Sequence, residues 1–174
     1  MSDSGLFDRM YQLAEVMASS KMTVPKHLQG NAGDCMAIVM QASQWKMNPF
    51  AVAQKTHIVN GNLGYEAQLV AAVINSSGVL SDRFSFDWQG NWDKWSAESN
   101  DKQLEKSLTV IVSATIKGET EPRQLIVSMS QATVRNSPLW KSDPKQQLAY
   151  LAQKKWARLY APDAILGVYS ADEF

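Results

Sequence analysis

An α+β fold, a small antiparallel sheet packed with helices, follows from three observations. Apolar residues recur at helical spacing near both ends of the chain. An Asn-Gly dipeptide separates two short β-prone runs, and three later runs alternate β-branched or aromatic residues with polar ones. With 174 residues, 45 % hydrophobic and 20 % charged, the chain suits one domain over residues 1–174 with a core of its own.

Leu6, Met10, Leu13 and Met17 sit four, three and four residues apart, which predicts an amphipathic helix over about 4–20. Its stripe could serve a subunit contact or pack within the chain. Pro25, Gly30 and Gly33 mark a loop ending at Asp34, placed to cap the helix CMAIVMQASQW, with Met36, Met40 and Met47 as core filler. Asn48-Pro49 is expected to end that helix. Asn60-Gly61 then predicts a hairpin over about 54–66, because both residues tolerate the positive φ of a type I′ turn. A helix, AQLVAAVINSSG, closes near Gly78.

RFSFDW, SLTVIVSATIK and RQLIVSM predict a three-strand meander. Between the first two, QGNWDKWSAESNDKQLEK is expected to form an exposed loop. The chain should return to helix from Ser130, break at Ser137-Pro138 and resume at Ser142-Asp143-Pro144, with proline in the first turn.

Several chemistries find no residues. Cys35 is the sole cysteine, and His27 and His57 are the only histidines. No intrachain disulfide, cysteine zinc tetrad or GxSxG nucleophile can be built. The carboxylates are scattered singly apart from Asp172-Glu173, read as a frayed acidic end, and neither Walker A nor GxGxxG occurs. The N-terminal stretch, broken by Asp3, Asp8, Arg9 and Glu15, lacks the apolar run of a signal peptide or membrane span. A cytoplasmic protein that is not an enzyme is the expectation.

Formal net charge is zero, yet residues 135–160 hold six Lys and Arg against one acid. On a helix over 143–160, Leu148, Ala152, Trp156 and Leu159 share a core face. Gln147, Lys154 and Arg158 fall on another side, with Lys155 between the two. No acid stands between Lys145 and Ala161 to supply i, i+4 partners. An unpaired basic stripe is a footprint of phosphate binding, whereas a merely solvated face is the ordinary alternative. Trp88, Trp92 and Trp95 could stack on unpaired bases, but packing explains them as well. Two GxxG matches, Gly30 to Gly33 and Gly61 to Gly64, resemble the loop that KH domains hold between two helices, but the second lies in the expected hairpin turn.

Residues 30–174 resemble the RecT/Redβ family of phage single-strand annealing proteins. The marks are QASQWKMNPF, the run GYEAQLVAAVINSSG, and the Trp, Pro, Lys, Ala-Arg series of WKSDPKQQLAYLAQKKWARLYAPDAILGVYSADEF. The resemblance implies a Rad52-like annealing-protein core, a sheet with helices lining a narrow DNA groove. It also implies ATP-independent annealing of complementary strands in bacteriophage DNA recombination, by a homo-oligomeric ring or filament in the bacterial host cytoplasm.

Carried over by position, Lys145 and Arg158 match basic positions of the family's C-terminal core helix, which faces the DNA backbone. Lys154 and Lys155 extend that patch, while Leu151 occupies a lysine position of the Redβ branch. Gln54, Lys55 and Tyr65 are candidates for the groove's other wall, and Arg135 and Lys141 for phosphate or a neighbouring subunit. The implied ligands are single-stranded DNA and the annealed duplex intermediate. No cofactor is required, and Mg2+ could act as a screening ion. Contacts with a partner exonuclease and host single-strand-binding protein belong to a further C-terminal segment that this chain is expected to lack. Two rival readings stay open, a passive single-strand coat protein and an oligomeric scaffold without annealing activity.

Overall fold

A computed structural model describes residues 3–174, so the first two residues of the expected domain lie outside the described part. The α+β class is borne out, with seven α-helices and two small antiparallel sheets among the described residues. The hairpin and the meander remain separate sheets.

Helix α1 (Asp3–Ser19) packs on α2 (Ala32–Trp45). Ala14 and Met17 are fully buried there and Met10 and Leu13 lie against the core, whereas Leu6, Phe7, Tyr11 and Val16 stay exposed. Helix α2 begins earlier than expected. Asn31 stands at its cap, and Asp34 lies in the first turn, where a carboxylate complements the helix dipole. It ends at Trp45 because Lys46 turns left-handed, with φ of 55°.

Asn48-Pro49 therefore opens a helix rather than closing one. In α3 (Pro49–Ala53), Asn48 Oδ1 accepts from the Phe50 and Ala51 amides, and the fixed φ of proline suits the first helical position. Met36 is buried as expected, but Met40 is half exposed.

Strands β1 (Thr56–Val59) and β2 (Asn62–Tyr65) pair as expected around Asn60 and Gly61, whose φ angles of 51° and 78° give the type I′ turn. Helix α4 (Ala67–Ser76) follows directly. The meander is β3 (Ser85–Gln89), β4 (Thr109–Ala114) and β5 (Arg123–Ser128), in that order. Its inner side buries Val110, Val112, Ala114 and Val127, with Phe86 and Trp88 at the β3 edge.

Two expectations fail between these elements. The loop after β3 contains helix α5 (Lys102–Ser107), capped by the Asp101 carboxylate on the Leu104 amide. The helix expected from Ser130 shrinks to one 3-10 turn, Met129–Gln131, closed by a Ser128–Gln131 capping box. Residues 132–138 then run as an irregular strap to α6 (Leu139–Ser142).

Helix α7 (Pro144–Tyr160) starts as expected, with Asp143 accepting from the Gln146 amide at 3.2 Å and proline at the first position. It packs on α4 and across β4 and β5. Trp156, fully buried, donates from Nε1 to the Arg123 carbonyl at 2.9 Å and meets Phe84 and Tyr160 edge-on at 5.1 and 5.3 Å. Leu148 and Ala152 join it in the core. Leu159 does not, being 59 % exposed, because it turns to the open side of the helix with Lys155 while Ala157 and Ala161 carry the core onward.

Candidate functional site

Two continuous hollows flank α7. The larger, about 670 Å³, lies between β1, the start of α4, the 134–140 strap and α7, and its lining is mostly neutral: Val134, Pro138, Trp140, Gln146, Gln147 and Tyr150 among others. The smaller, about 480 Å³, lies between the strap and the second half of α7, where Lys154, Lys155 and Arg158 converge with Asp172 and Glu173. Val134, Leu151, Lys154 and Asp172 line both, so the two form one groove with a neutral and a charged lobe.

Helical geometry decides which cations reach it. Lys145 precedes Lys154 by nine residues, which at ~100° each puts the two on opposite sides of the helix. Lys145 accordingly turns to the meander, its Nζ 5.6 Å from the Trp88 ring centre and 5.7 Å from that of Trp92. Lys141 is exposed on α6, away from the groove lining. The groove thus gathers Lys154, Lys155 and Arg158 and leaves Lys141 and Lys145 outside.

The stripe is not unpaired, as its local sequence suggested. Lys154, expected on a polar arc with Gln147, is buried and donates to Asp172 Oδ2 at 2.8 Å and Ser170 Oγ at 2.7 Å. Arg158 donates from Nη2 to Glu173 Oε2 at 3.0 Å and binds the Ile165 and Val168 carbonyls, with its guanidinium 5.0 Å from the Tyr169 ring centre. The C-terminal acids are therefore docked partners rather than a frayed end. Lys155 has no ion pair among the described residues.

The remaining candidates are also engaged. Arg135 grips Glu105 with both terminal nitrogens, at 2.9 and 3.0 Å, and donates to the Ala132 and Met129 carbonyls, so it ties the strap to α5. Lys55 pairs with Glu66 at 3.0 Å, which also receives His57 at 2.9 Å. Gln54 donates to the Thr23 carbonyl at 2.6 Å. Tyr65 is buried edge-on against Trp45 and offers no ring face to a base. Trp88 and Trp92 pack edge-on at 5.5 Å, and Trp95 donates to Glu105 at 3.1 Å, which makes packing the first role of all three.

Ionisation follows these pairings. Burial opposes ionisation of Asp172, yet the Lys154 charge and hydrogen bond outweigh it and hold the carboxyl below its ordinary range. Glu105 is lowered by the Arg135 hydrogen bond, against burial and with help from Trp95. Burial likewise opposes ionisation of Glu66, and its hydrogen bonds from His57 and Lys55 prevail to lower it.

Sequence reasoning missed the strap residues Thr133 and Val134, the amide Gln146, and the part played by Asp172 and Glu173, the two acids that hold the groove cations. One signal was present. Residues 161–174 carry three acids and no Lys or Arg, the complement of the preceding stretch. Among the described residues no three His, Cys, Asp or Glu side chains cluster as a metal would need, and no helix is long and apolar enough to cross a membrane.

Comparison with known proteins agrees with the resemblance read from the sequence. The family model described as RecT family matches residues 14–174. No curated protein matches the chain.

Proposed function

The chain belongs to the RecT family, single-strand annealing proteins of phage-type recombination, and from that membership we propose that it binds single-stranded DNA and pairs complementary strands without ATP. The observation that supports this most is the convergence of Lys154, Lys155 and Arg158 on one side of α7, in a groove walled by the strap. A strand's phosphates would follow the charged lobe, displacing counterions, so affinity should fall steeply with salt.

The neutral lobe suits sugars and base edges. Gln146 and Gln147 line it, and a side-chain amide both donates and accepts, so it can meet any base without choosing among them. Backbone contact leaves sequence discrimination to the incoming strand. Lys141 and Lys145, off the groove, would meet phosphates where the strand leaves it. Chains assembled through α1, whose Leu6, Phe7, Tyr11 and Val16 stand exposed, would lay grooves end to end and hold a long strand by avidity.

Lys155 gives the cleanest test because its removal breaks no internal ion pair. Titrating a labelled oligonucleotide at several salt concentrations, Lys155→Ala should bind more weakly, with a salt slope shallower by about 0.7. An unchanged affinity and slope would remove the charged lobe from the binding surface.

A further inference from the structure

Two of the three groove cations are already occupied by carboxylates. Asp172 Oδ2 sits 2.8 Å from Lys154 Nζ, and Glu173 Oε2 sits 3.0 Å from Arg158 Nη2, distances at which a phosphate oxygen would meet the same nitrogens. Both acids lie in one 3-10 turn, Ala171–Glu173, closed by a Ser170–Glu173 capping box. The whole stretch 161–174 contains no cation to hold these acids internally.

We propose that this turn is an intramolecular phosphate mimic, a clamp that fills two phosphate subsites of the groove and is exchanged for the DNA backbone when a strand binds. The inference rests on the proposed DNA-binding function and names its regulation. Lys154 is 8 % exposed at its side chain, so it cannot give up Asp172 to water without leaving a buried charge unpaired. It can give it up to another anion. Only a polyanion satisfies Lys154 and Arg158 together, one helical turn apart, and a strand backbone does so.

Outside its ion pairs the turn is held by Lys154 donating to Ser170 Oγ, by Arg158 binding the Ile165 and Val168 carbonyls just before it, and by the hairpin. The Tyr65 amide donates to the Tyr169 carbonyl at 2.9 Å, Tyr65 and Ser170 form an isolated parallel bridge, and the Ala171 backbone rests on Gly64. A Cβ built at Gly64 would lie 2.9 Å from Ala171 Cα, so the close approach needs glycine there. Gly64→Ala therefore loosens the turn without altering charge. Asp172→Asn with Glu173→Gln removes its charge.

The test is binding of a labelled oligo-dT strand to wild type, to each clamp variant, and to Asp163→Asn with Glu121→Gln, which removes two exposed acids elsewhere. Both clamp variants should bind roughly threefold to tenfold tighter than wild type, the gain expected when a site open in about a third to a tenth of molecules becomes fully available. The control should gain less than either. Hydrogen exchange of wild type supplies a second readout that depends on no variant folding. Amides of residues 169–174 should exchange faster once the strand is bound.

Strand binding with unchanged or slower exchange there, or clamp variants that bind no tighter than the control, would overturn the clamp and leave the groove reading intact. Failure of wild type and both clamp variants to bind oligo-dT at low salt would overturn the DNA reading itself, and the clamp with it.

Discussion

Arg158 and Lys155 lie on one groove, yet they should answer very differently to truncation. Arg158→Ala strands the Glu173 carboxylate and the Ile165 and Val168 carbonyls, and charged hydrogen bonds of this kind contribute about 1.5–3 kcal/mol. Urea unfolding should show a loss of that size, against roughly 0.5 kcal/mol or less for Lys155→Ala, which breaks no ion pair. Equal losses would mean the Arg158 contacts add little in water. The contrast also marks what was legible. The sequence displays six cations and groups Lys145 with Arg158, Lys154 and Lys155 in one patch, whereas nine residues of helical phase set Lys145 opposite Lys154 in the structure. It does not say which phase faces protein, because that depends on the strap and on acids eighteen residues beyond Lys154 and fifteen beyond Arg158.

The misses fall where local chemistry allows two outcomes or where a distant partner intervenes. The hairpin was legible because a type I′ turn demands residues that accept positive φ, and Asn60-Gly61 supplies them within two positions. Gly61, at φ of 78°, should not tolerate a side chain: Gly61→Ala is expected to cost about 1–2 kcal/mol in chemical denaturation, and a neutral result would argue against this turn. Helix α3 was missed because Asn-Pro both stops a helix and starts one, and Asn48 capping decides for the latter. The helix expected at Ser130 gave way to the strap because Arg135 binds Glu105 thirty residues back. Helix α7 depends on Trp156 more than on any other side chain, since it fills the space against Phe84 and Tyr160 and caps the Arg123 carbonyl. Trp156→Ala should cost about 3–5 kcal/mol, read as a lowered urea midpoint, and the groove should lose its cation geometry with it.

Across the protein, four ion pairs gather around the groove: Lys154–Asp172, Arg158–Glu173, Arg135–Glu105 and Lys55–Glu66. The first two join α7 to the C-terminal turn, the third joins the strap to α5, and the fourth bridges the two ends of the hairpin, a compensation that net charge alone concealed. The acids Asp172, Glu105 and Glu66 all have carboxyls held below their ordinary values in the folded state. A depressed folded value stabilises above the unfolded value of about 4, and the contribution fades as pH falls through the folded value. Thermal midpoints should therefore change little from these groups between neutral pH and about 5 and drop below about 4, with Glu105→Gln blunting the drop. An acid profile that this substitution leaves untouched would place the sensitivity elsewhere.

The central claim is that the charged lobe holds one strand while a second pairs with it. Its most direct test adds two complementary labelled oligonucleotides in succession, without ATP, to wild type and to Lys155→Glu, which reverses the one groove cation that carries no ion pair among the described residues. Wild type should accelerate pairing well beyond the uncatalysed rate, and Lys155→Glu should lose most of that acceleration while keeping its thermal midpoint. Strands that bind wild type without pairing faster, or a variant that anneals as well as wild type, would contradict the account.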